Sequence, residues 1–224
     1  MSVRERIRLS EYRQQQLTWV MEFVLIGLLF IGFERRSLGI SINAAIGLIV
    51  LQIPPLLERD YSVSMDPRLT LWITTAVFLH SLGTVGVPGG EGFYRSIPGY
   101  DHLTHALSAS VVAGVGYATI RALDEHWDDV HLPDRFVFVF ILMFVLAFGV
   151  VWEIIEFTTS AAATAIGGSP VLTQYGLEDT MKDLIFNTIG AAIVAAWGTV
   201  YLNDFVTQIL DAVGVQTGSD PPGE

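Results

Sequence analysis

Apolar stretches long enough to cross a bilayer constrain this chain more than any other feature of its sequence. They lie near residues 17–33, 38–57, 69–87, 101–123, 136–158 and 181–203. The hydrocarbon core of a membrane is crossed by about 20 apolar residues in an α-helix. Open sheet edges are excluded there, because lipid cannot satisfy backbone hydrogen bonds. The sequence therefore predicts an all-α polytopic membrane protein, a bundle of about six transmembrane helices.

Two short segments flank the predicted transmembrane domain of residues 17–203. Residues 1–16 carry several arginines and are expected to form a basic cytoplasmic segment. Residues 204–224 are expected to form a short amphipathic piece and then a disordered tail, since their end is rich in Pro, Gly and acidic residues. No cleavable signal is predicted, because the start is polar and no small-residue cleavage pattern follows the first apolar stretch.

Composition narrows the function classes. Cysteine is absent, which excludes disulfides, thiolate metal sites and cysteine nucleophiles. The formal net charge of −11 argues against a nucleic-acid partner. The acid excess lies in short loops and in the tail and is typical of a halophile's acidic surface. The expected partners are membrane lipids, with a homo-oligomer as a further prediction.

The distribution of Lys and Arg predicts the orientation in the membrane. With an even number of spans, both termini lie on one side. That side carries Arg4, Arg6, Arg8, Arg13, Arg59, Arg68, Arg121 and Arg135, and the opposite side carries Arg35, Arg36, Arg95 and Lys182. Positive residues favour the cytoplasm, so we expect a multi-pass protein of the plasma or inner membrane with both termini cytoplasmic.

Ionisable residues gather at the ends of three predicted spans. They are Asp101, His102, His105, Glu153, Glu156, Asp179 and Asp183. Within each group, residues three or four apart share a helix face. Spans four and six run inward and span five runs outward, so all seven are predicted to lie in one layer in the outer half of the membrane. His80, near the end of span three, lies at a similar depth.

Three interpretations of this layer stay open. An ionisable residue inside a span costs about 2.5–3.5 kcal/mol, so a set this large needs mutual compensation. The set could bind a divalent cation, with Zn²⁺ suited to imidazole plus carboxylate and Mg²⁺ or Mn²⁺ to a carboxylate-rich set. It could be the proton or ion relay of a small-solute transporter. It could also be a structural hydrogen-bonded cluster, which is the favoured interpretation for a lone Glu22 or His80.

The metal interpretation assigns roles to the seven residues. The candidate ligands are His102, His105, Glu153, Glu156 and Asp183. Asp101 would orient His105, and Asp179 would be the general base for a water molecule at the metal. The expected chemistry is that of a metal-dependent hydrolase or transferase acting on a lipid headgroup or a lipid-linked substrate.

A stripe of small residues marks the fourth span. Ala106, Ser110, Gly114 and Ala118 recur at intervals of four. Such a stripe lets a neighbouring helix pack closely. If the chain is instead a scaffold or partner protein, the stripe would be an oligomer contact.

Three stretches carry a resemblance to known families. Residues 100–105 (Tyr-Asp-His-Leu-Thr-His), 152–157 (Trp-Glu-Ile-Ile-Glu-Phe) and 179–184 (Asp-Thr-Met-Lys-Asp-Leu) resemble, in order and spacing, the YjdF-like family of uncharacterised polytopic inner-membrane proteins. The resemblance covers residues 95–200 and is more distant to VanZ-like proteins, which are linked to glycopeptide resistance. The resemblance implies that the paired carboxylates of these stretches and His105 are the candidate functional residues. Met181 stands where a YjdF-like chain is expected to have Gln.

Overall fold

The α-helices of the chain follow one another with short connections. A computed structural model describes residues 9–63, 65–86, 90–126, 131–165, 167, 171–172, 174–202, 205–208 and 210. The helices are α1 (Glu11–Glu34), α2 (Leu38–Val50), α3 (Ile53–Tyr61), α4 (Pro67–Gly83), α5 (Phe93–Ser96), α6 (Tyr100–His126), α7 (Asp134–Ala165) and α8 (Leu177–Tyr201). Within the described ranges the only β-pairing is an isolated bridge between Gly86 and Gly92. The predicted all-α fold class is therefore confirmed.

Local side-chain chemistry sets where several helices begin. Ser10 and Ser37 precede α1 and α2, and each hydroxyl accepts a hydrogen bond from the backbone N–H three residues ahead. The Asp66 carboxylate accepts from the backbone N–H of Arg68, with Pro67 at the first position of α4. These contacts satisfy N–H groups that have no partner inside the helix. Proline is tolerated there because its missing N–H would be unpaired anyway.

The adjacent prolines Pro54 and Pro55 predict that the second apolar stretch ends or kinks there, and the structure has a break just before them. α2 ends at Val50, and α3 begins at Ile53 with proline in its first turn. Proline inside a helix removes a hydrogen bond and clashes with the preceding turn, whereas the first turn accepts it. The two helices therefore follow each other as one apolar segment with a break.

In the part of the chain that the structure describes, four helical segments are long and apolar enough to cross a membrane. They are Glu11–Glu34, Leu38–Tyr61, Tyr100–Asp124 and Asp134–Ala165. α4 has 17 residues, and the first two turns of α8 contain the charged residues Glu178, Asp179 and Lys182. Membrane crossing by α4 and α8, and hence the total of six spans, stays a prediction.

Some helices extend beyond the predicted spans. α1 begins at Glu11, inside the predicted N-terminal segment, and α7 continues past residue 158 to Ala165. Hydropathy marks where an apolar stretch ends, but the alanines at 161–163 and 165 that follow are strong helix formers. The hydroxyls of Thr158 and Thr159 bond to carbonyls one turn back. Residues 1–8 and 211–224, including Arg4, Arg6 and Arg8 and the predicted disordered tail, lie outside the described residues.

Two apolar cores hold the bundle together. In the first, Leu25 and Leu28 of α1 pack with Ile40 and Ala44 of α2, and part of α4 packs against them. In the second, α6, α7 and α8 meet around Tyr117, Ile141 and Ala191. α4 contacts both α1 and α6, so it joins the two halves.

The small-residue stripe of α6 is used inside the chain. The backbone carbonyl of Ala106 lies directly against Gly190 of α8, where an added Cβ would collide with it. Gly114 faces the ring of Trp72 in α4, which would be 2.9 Å from an added Cβ. Trp72 Nε1 also donates to Ser110 Oγ at 3.0 Å. The stripe therefore brings α6 close to α8 and α4, and an oligomer contact would need another surface.

Candidate metal centre

One end of the bundle contains a polar cavity of about 190 Å³. The start of α6, the end of α7, the start of α8 and the end of α4 all contribute to its wall. Among the predicted site residues, those that line it are Asp101, His105, Glu156, Asp179 and Asp183, together with His80. Glu153 and His102 do not line the cavity and make contacts beside it. The four helix ends thus place most of the predicted layer around one space.

Asp101, His105 and Asp183 form the tightest group. One donor atom from each lies within 4.8 Å of the other two. The His105 Nε2 atom is 3.6 Å from Asp101 Oδ1 and 3.8 Å from Asp183 Oδ1. These separations are too long for hydrogen bonds. They are close to the distance of about 3.4 Å between two ligand atoms of a tetrahedral Zn²⁺ with bonds of 2.0–2.2 Å.

Asp183 provides an acceptor without a partner at the centre of the group. Its side chain is buried, and its Oδ1 atom makes no hydrogen bond within the described part of the chain. The same holds for His102 Nδ1, which lies 3.7 Å from this oxygen. A buried carboxylate without a partner is costly and calls for an explanation. A cation between these atoms would supply the missing interaction, so the residues present fit a metal ion.

Asp101 lies on the ligand side of His105. The sequence interpretation placed it as an orienting partner, which would bond to the ring nitrogen that faces away from the metal. In the structure, Asp101 and Asp183 both face Nε2 of His105. Asp101 therefore faces the same ring nitrogen as Asp183, not the opposite one.

Glu153 connects α7 to the beginning of α8. Its Oε2 atom accepts hydrogen bonds from Thr180 Oγ1 at 2.8 Å and from Gln174 Nε2 at 3.4 Å. Gln174 Nε2 also donates to Thr180 Oγ1 at 2.9 Å. The carboxylate is buried and is not part of the three-residue donor group. Its contacts are those of a residue that positions the first turn of α8.

Glu156 lines the cavity and bonds within its own helix. Its Oε1 atom accepts a hydrogen bond from Trp152 Nε1 at 3.0 Å. Trp152 packs edge-on against the ring of His80, with centroids 5.6 Å apart. Glu156 is also outside the three-residue donor group, so the structure places it beside that group, against the aromatic contact between α7 and α4.

Tyr94 holds His80 in a defined orientation, and the sequence interpretation did not identify this residue. The Tyr94 hydroxyl donates to the His80 carbonyl at 2.9 Å and lies 2.9 Å from His80 Nδ1. A hydroxyl has one hydrogen, so it can donate to only one of these two atoms, and the donor in the contact with Nδ1 depends on the His80 tautomer. Burial, followed by the charge of Asp101, raises the pKa of Tyr94 well above its usual range, so the hydroxyl keeps its proton.

Asp179 and Arg95 both contact Tyr175 at the wall of the cavity. Asp179 Oδ2 accepts from the backbone N–H of Tyr175 at 3.0 Å, just before Gly176 turns the chain with a φ of 117°. The Arg95 guanidinium lies 4.8 Å from the Tyr175 ring centroid and 3.2 Å from Glu91. Both residues line the cavity. Arg95 therefore brings a positive charge to a space that is otherwise rich in carboxylates.

The carboxylates of the cavity have imidazoles as their nearest basic groups. In the described ranges, no Lys or Arg nitrogen forms an ion pair with Asp101, Glu156 or Asp183. Buried charges in proteins are paired or coordinate metals, or they take up a proton. The negative charge of these carboxylates must therefore be compensated by a bound cation or by protons.

Comparison with known proteins places the chain in a family. The family described as predicted membrane protein (DUF2238) matches residues 16–204, which include every candidate site residue. The chain belongs to the DUF2238 family. An uncharacterised protein from Thermotoga maritima is 30% identical to this DUF2238 protein over 176 residues, which span 77% of the chain and 85% of that relative. No solved structure matches it. The family's description gives a membrane location and no activity.

Proposed function

We propose that this DUF2238 protein binds one divalent cation through Asp101, His105 and Asp183. The observation that carries the proposal is the group of three donor atoms, with separations too long for hydrogen bonds and suited to a shared metal. The buried Asp183 Oδ1 without a hydrogen-bond partner supports it independently. The other residues predicted as ligands, Glu153, Glu156 and His102, would act around this centre.

Zn²⁺ suits the donor set best. One imidazole and two carboxylates are ligands that zinc accepts, whereas Mg²⁺ and Mn²⁺ favour sites made of oxygen alone. Three protein ligands with a remaining open position are the pattern of catalytic zinc sites, and structural sites usually have four. The adjoining cavity gives that open position the room to take a substrate or water.

The proposed reaction is hydrolysis or group transfer on a lipid headgroup or a lipid-linked substrate. A bound zinc ion would polarise a carbonyl or phosphoryl oxygen or a water molecule. The Arg95 guanidinium would attract an anionic group at the same cavity. Asp179 and His80 are the candidate proton acceptors, and the Tyr94 contact fixes the His80 ring. We further propose that the cavity faces the outer half of the membrane and that both termini are cytoplasmic.

The YjdF-like resemblance supports this assignment of the site residues, because its motifs carry Asp101, His105 and Asp183. The VanZ-like resemblance rests on fewer residues, chiefly the Asp-x-x-x-His start and the stretch from Asp183. A proton-coupled transporter would need a polar path through the bundle. The space that continues inward from His80 and His105 has mainly apolar walls, which favours a site at one end.

The test is elemental analysis of purified protein. Wild type should contain close to one zinc per chain after exposure to zinc and removal of the excess. His105→Ala should lose it, while His131→Ala, an exposed histidine before α7, should keep it. Equal metal content in wild type and His105→Ala would leave the cluster as a structural hydrogen-bonded group or a proton relay.

A further inference from the structure

A second cavity, of about 310 Å³, lies deeper in the bundle and adjoins the polar one. Residues of α2, α4, α6, α7 and α8 line it. Asn43, His80 and His105 line both cavities. His105 therefore stands at the boundary between a polar space at the end of the bundle and an apolar space within it. We call the second cavity the inner slot.

The walls of the inner slot consist mainly of apolar side chains. Val77, Ala109, Val112 and Val145 are among its lining residues. Water needs two to four polar partners to occupy a cavity, and these walls offer few. The slot is suited to an apolar occupant.

Three of the polar wall residues, Asn43, Ser81 and Thr104, donate hydrogen bonds to backbone carbonyls. The Asn43 side-chain amide donates to the Gly39 carbonyl at 2.8 Å. Ser81 Oγ donates to the Asn43 carbonyl at 3.1 Å, and Thr104 Oγ1 donates to the Asp101 carbonyl at 2.7 Å. These groups pair with the backbone and are not left to bind a polar ligand.

The inner slot opens sideways towards the membrane. Ile46 of α2 and Phe148 of α7 both line it, and they are 52% and 50% exposed on the surface of the chain. Over the described residues, α2 packs mainly on α1 and α4, and α7 on α6 and α8. Among the described residues, α2 and α7 make no extensive contact with each other. Both belong to segments of spanning length, so the medium at this opening is the hydrocarbon of the bilayer.

We infer that the inner slot holds one acyl chain of a membrane lipid, which enters between Ile46 and Phe148 and brings its headgroup to the polar cavity beside His105. This deepens the proposed function and rests on it for the chemistry at the headgroup. Occupation of the slot by an acyl chain does not itself require the metal. The two proposals can therefore fail separately.

Photolabelling of the full chain tests the slot. Purified wild type is placed in phosphatidylcholine vesicles that contain a trace of an analogue with a diazirine in its acyl chain. After illumination, adducts are assigned to residues by mass spectrometry. We expect adducts on Ala76 and Ala109, which line the slot and are buried from the surrounding lipid. Val111→Trp, which fills the slot, should reduce these adducts at least tenfold.

The matched control is Val115→Trp, one turn along α6 at an exposed position that does not line the slot. It should keep the wild-type adducts. If Val111→Trp does not fold, the positions of the adducts in wild type are sufficient for the test. Adducts restricted to lipid-exposed residues such as Val115 would overturn the inference. Zinc is measured in the same samples. Adducts in the slot of a protein that binds no zinc would support the acyl-chain proposal and count against the metal proposal. Bound zinc without adducts in the slot would support the metal proposal and count against the acyl chain.

Discussion

His105 and Asp183 meet across the contact between α6 and α8, with Nε2 and Oδ1 3.8 Å apart. The same two helices touch at Ala106 and Gly190, where the backbone of α6 lies directly on the glycine. A glycine contact allows two helices to approach more closely than any side chain would. Close packing next to the site therefore fixes how near the imidazole and the carboxylate can come.

Gly190→Ala should destabilise the protein. The added Cβ would collide with the Ala106 carbonyl, which belongs to a helix backbone and cannot rotate away. Overpacking typically costs about 1–3 kcal/mol, and we expect the upper part of that range. Gly27→Ala is the matched control, since an added Cβ there has nothing within 4 Å. Alanine improves helix propensity, so that variant should melt at or above wild type in detergent. Equal melting of the two variants would show that α6 and α8 are not in this contact.

Asp183→Asn should abolish zinc binding while the fold is retained. Asparagine has nearly the same size but lacks the negative charge that a metal ligand supplies. We expect zinc content to fall from close to one per chain to less than about a tenth of that. Glu178→Gln is the control on the same helix, because Glu178 is exposed and pairs with Lys182 at 2.7 Å. Zinc retained by Asp183→Asn would remove this residue from the ligand set.

Glu156→Gln distinguishes a ligand from a neighbour of the metal. Glutamine keeps an oxygen that can accept from Trp152 Nε1, but it loses the charge. Because Glu156 lies outside the three-residue donor group, we expect zinc to remain bound with roughly tenfold weaker affinity, which corresponds to about 1.4 kcal/mol. Thermal stability should stay level or rise, since a buried charge is removed. Complete loss of zinc would make Glu156 a ligand, and unfolding would make it a structural residue.

Helix periodicity predicts which residues of the site share a helix face and lie at the same depth. Asp101 and His105 are one turn apart in sequence, and in the structure they contact each other at 3.6 Å. The alternating direction of the spans was enough to expect the end of α7 beside the starts of α6 and α8. The interruption at Pro54 also followed from local backbone chemistry alone. These features depend on spacing, which a sequence shows directly.

Other contacts of the site depend on the path of the loops, which residue spacing does not determine. Gln174 and Thr180 bind Glu153 because the chain turns at Gly176 before α8 begins. Tyr94 reaches His80 from a short helix inside a glycine-rich connection. The inner slot is formed by ordinary apolar residues from several helices, and no motif marks them. Which nitrogen of His105 faces Asp101 likewise depends on a side-chain torsion that spacing does not determine.

Single cysteines at the two ends of α7 test the predicted orientation. The natural chain has no cysteine, so each introduced thiol is the sole target of a membrane-impermeant maleimide. At 1.5 Å per residue, the 32 residues of α7 extend for about 48 Å, which is longer than the hydrocarbon core. The bias of Lys and Arg predicts that residue 131 is cytoplasmic and residue 164 is outside. Thr164→Cys in intact cells should therefore be labelled at least tenfold more than His131→Cys, and permeabilisation should make the two equal.

The opposite labelling ratio would show that the orientation is reversed, with the cavity on the cytoplasmic side. Equal labelling before permeabilisation would show that α7 does not cross the membrane.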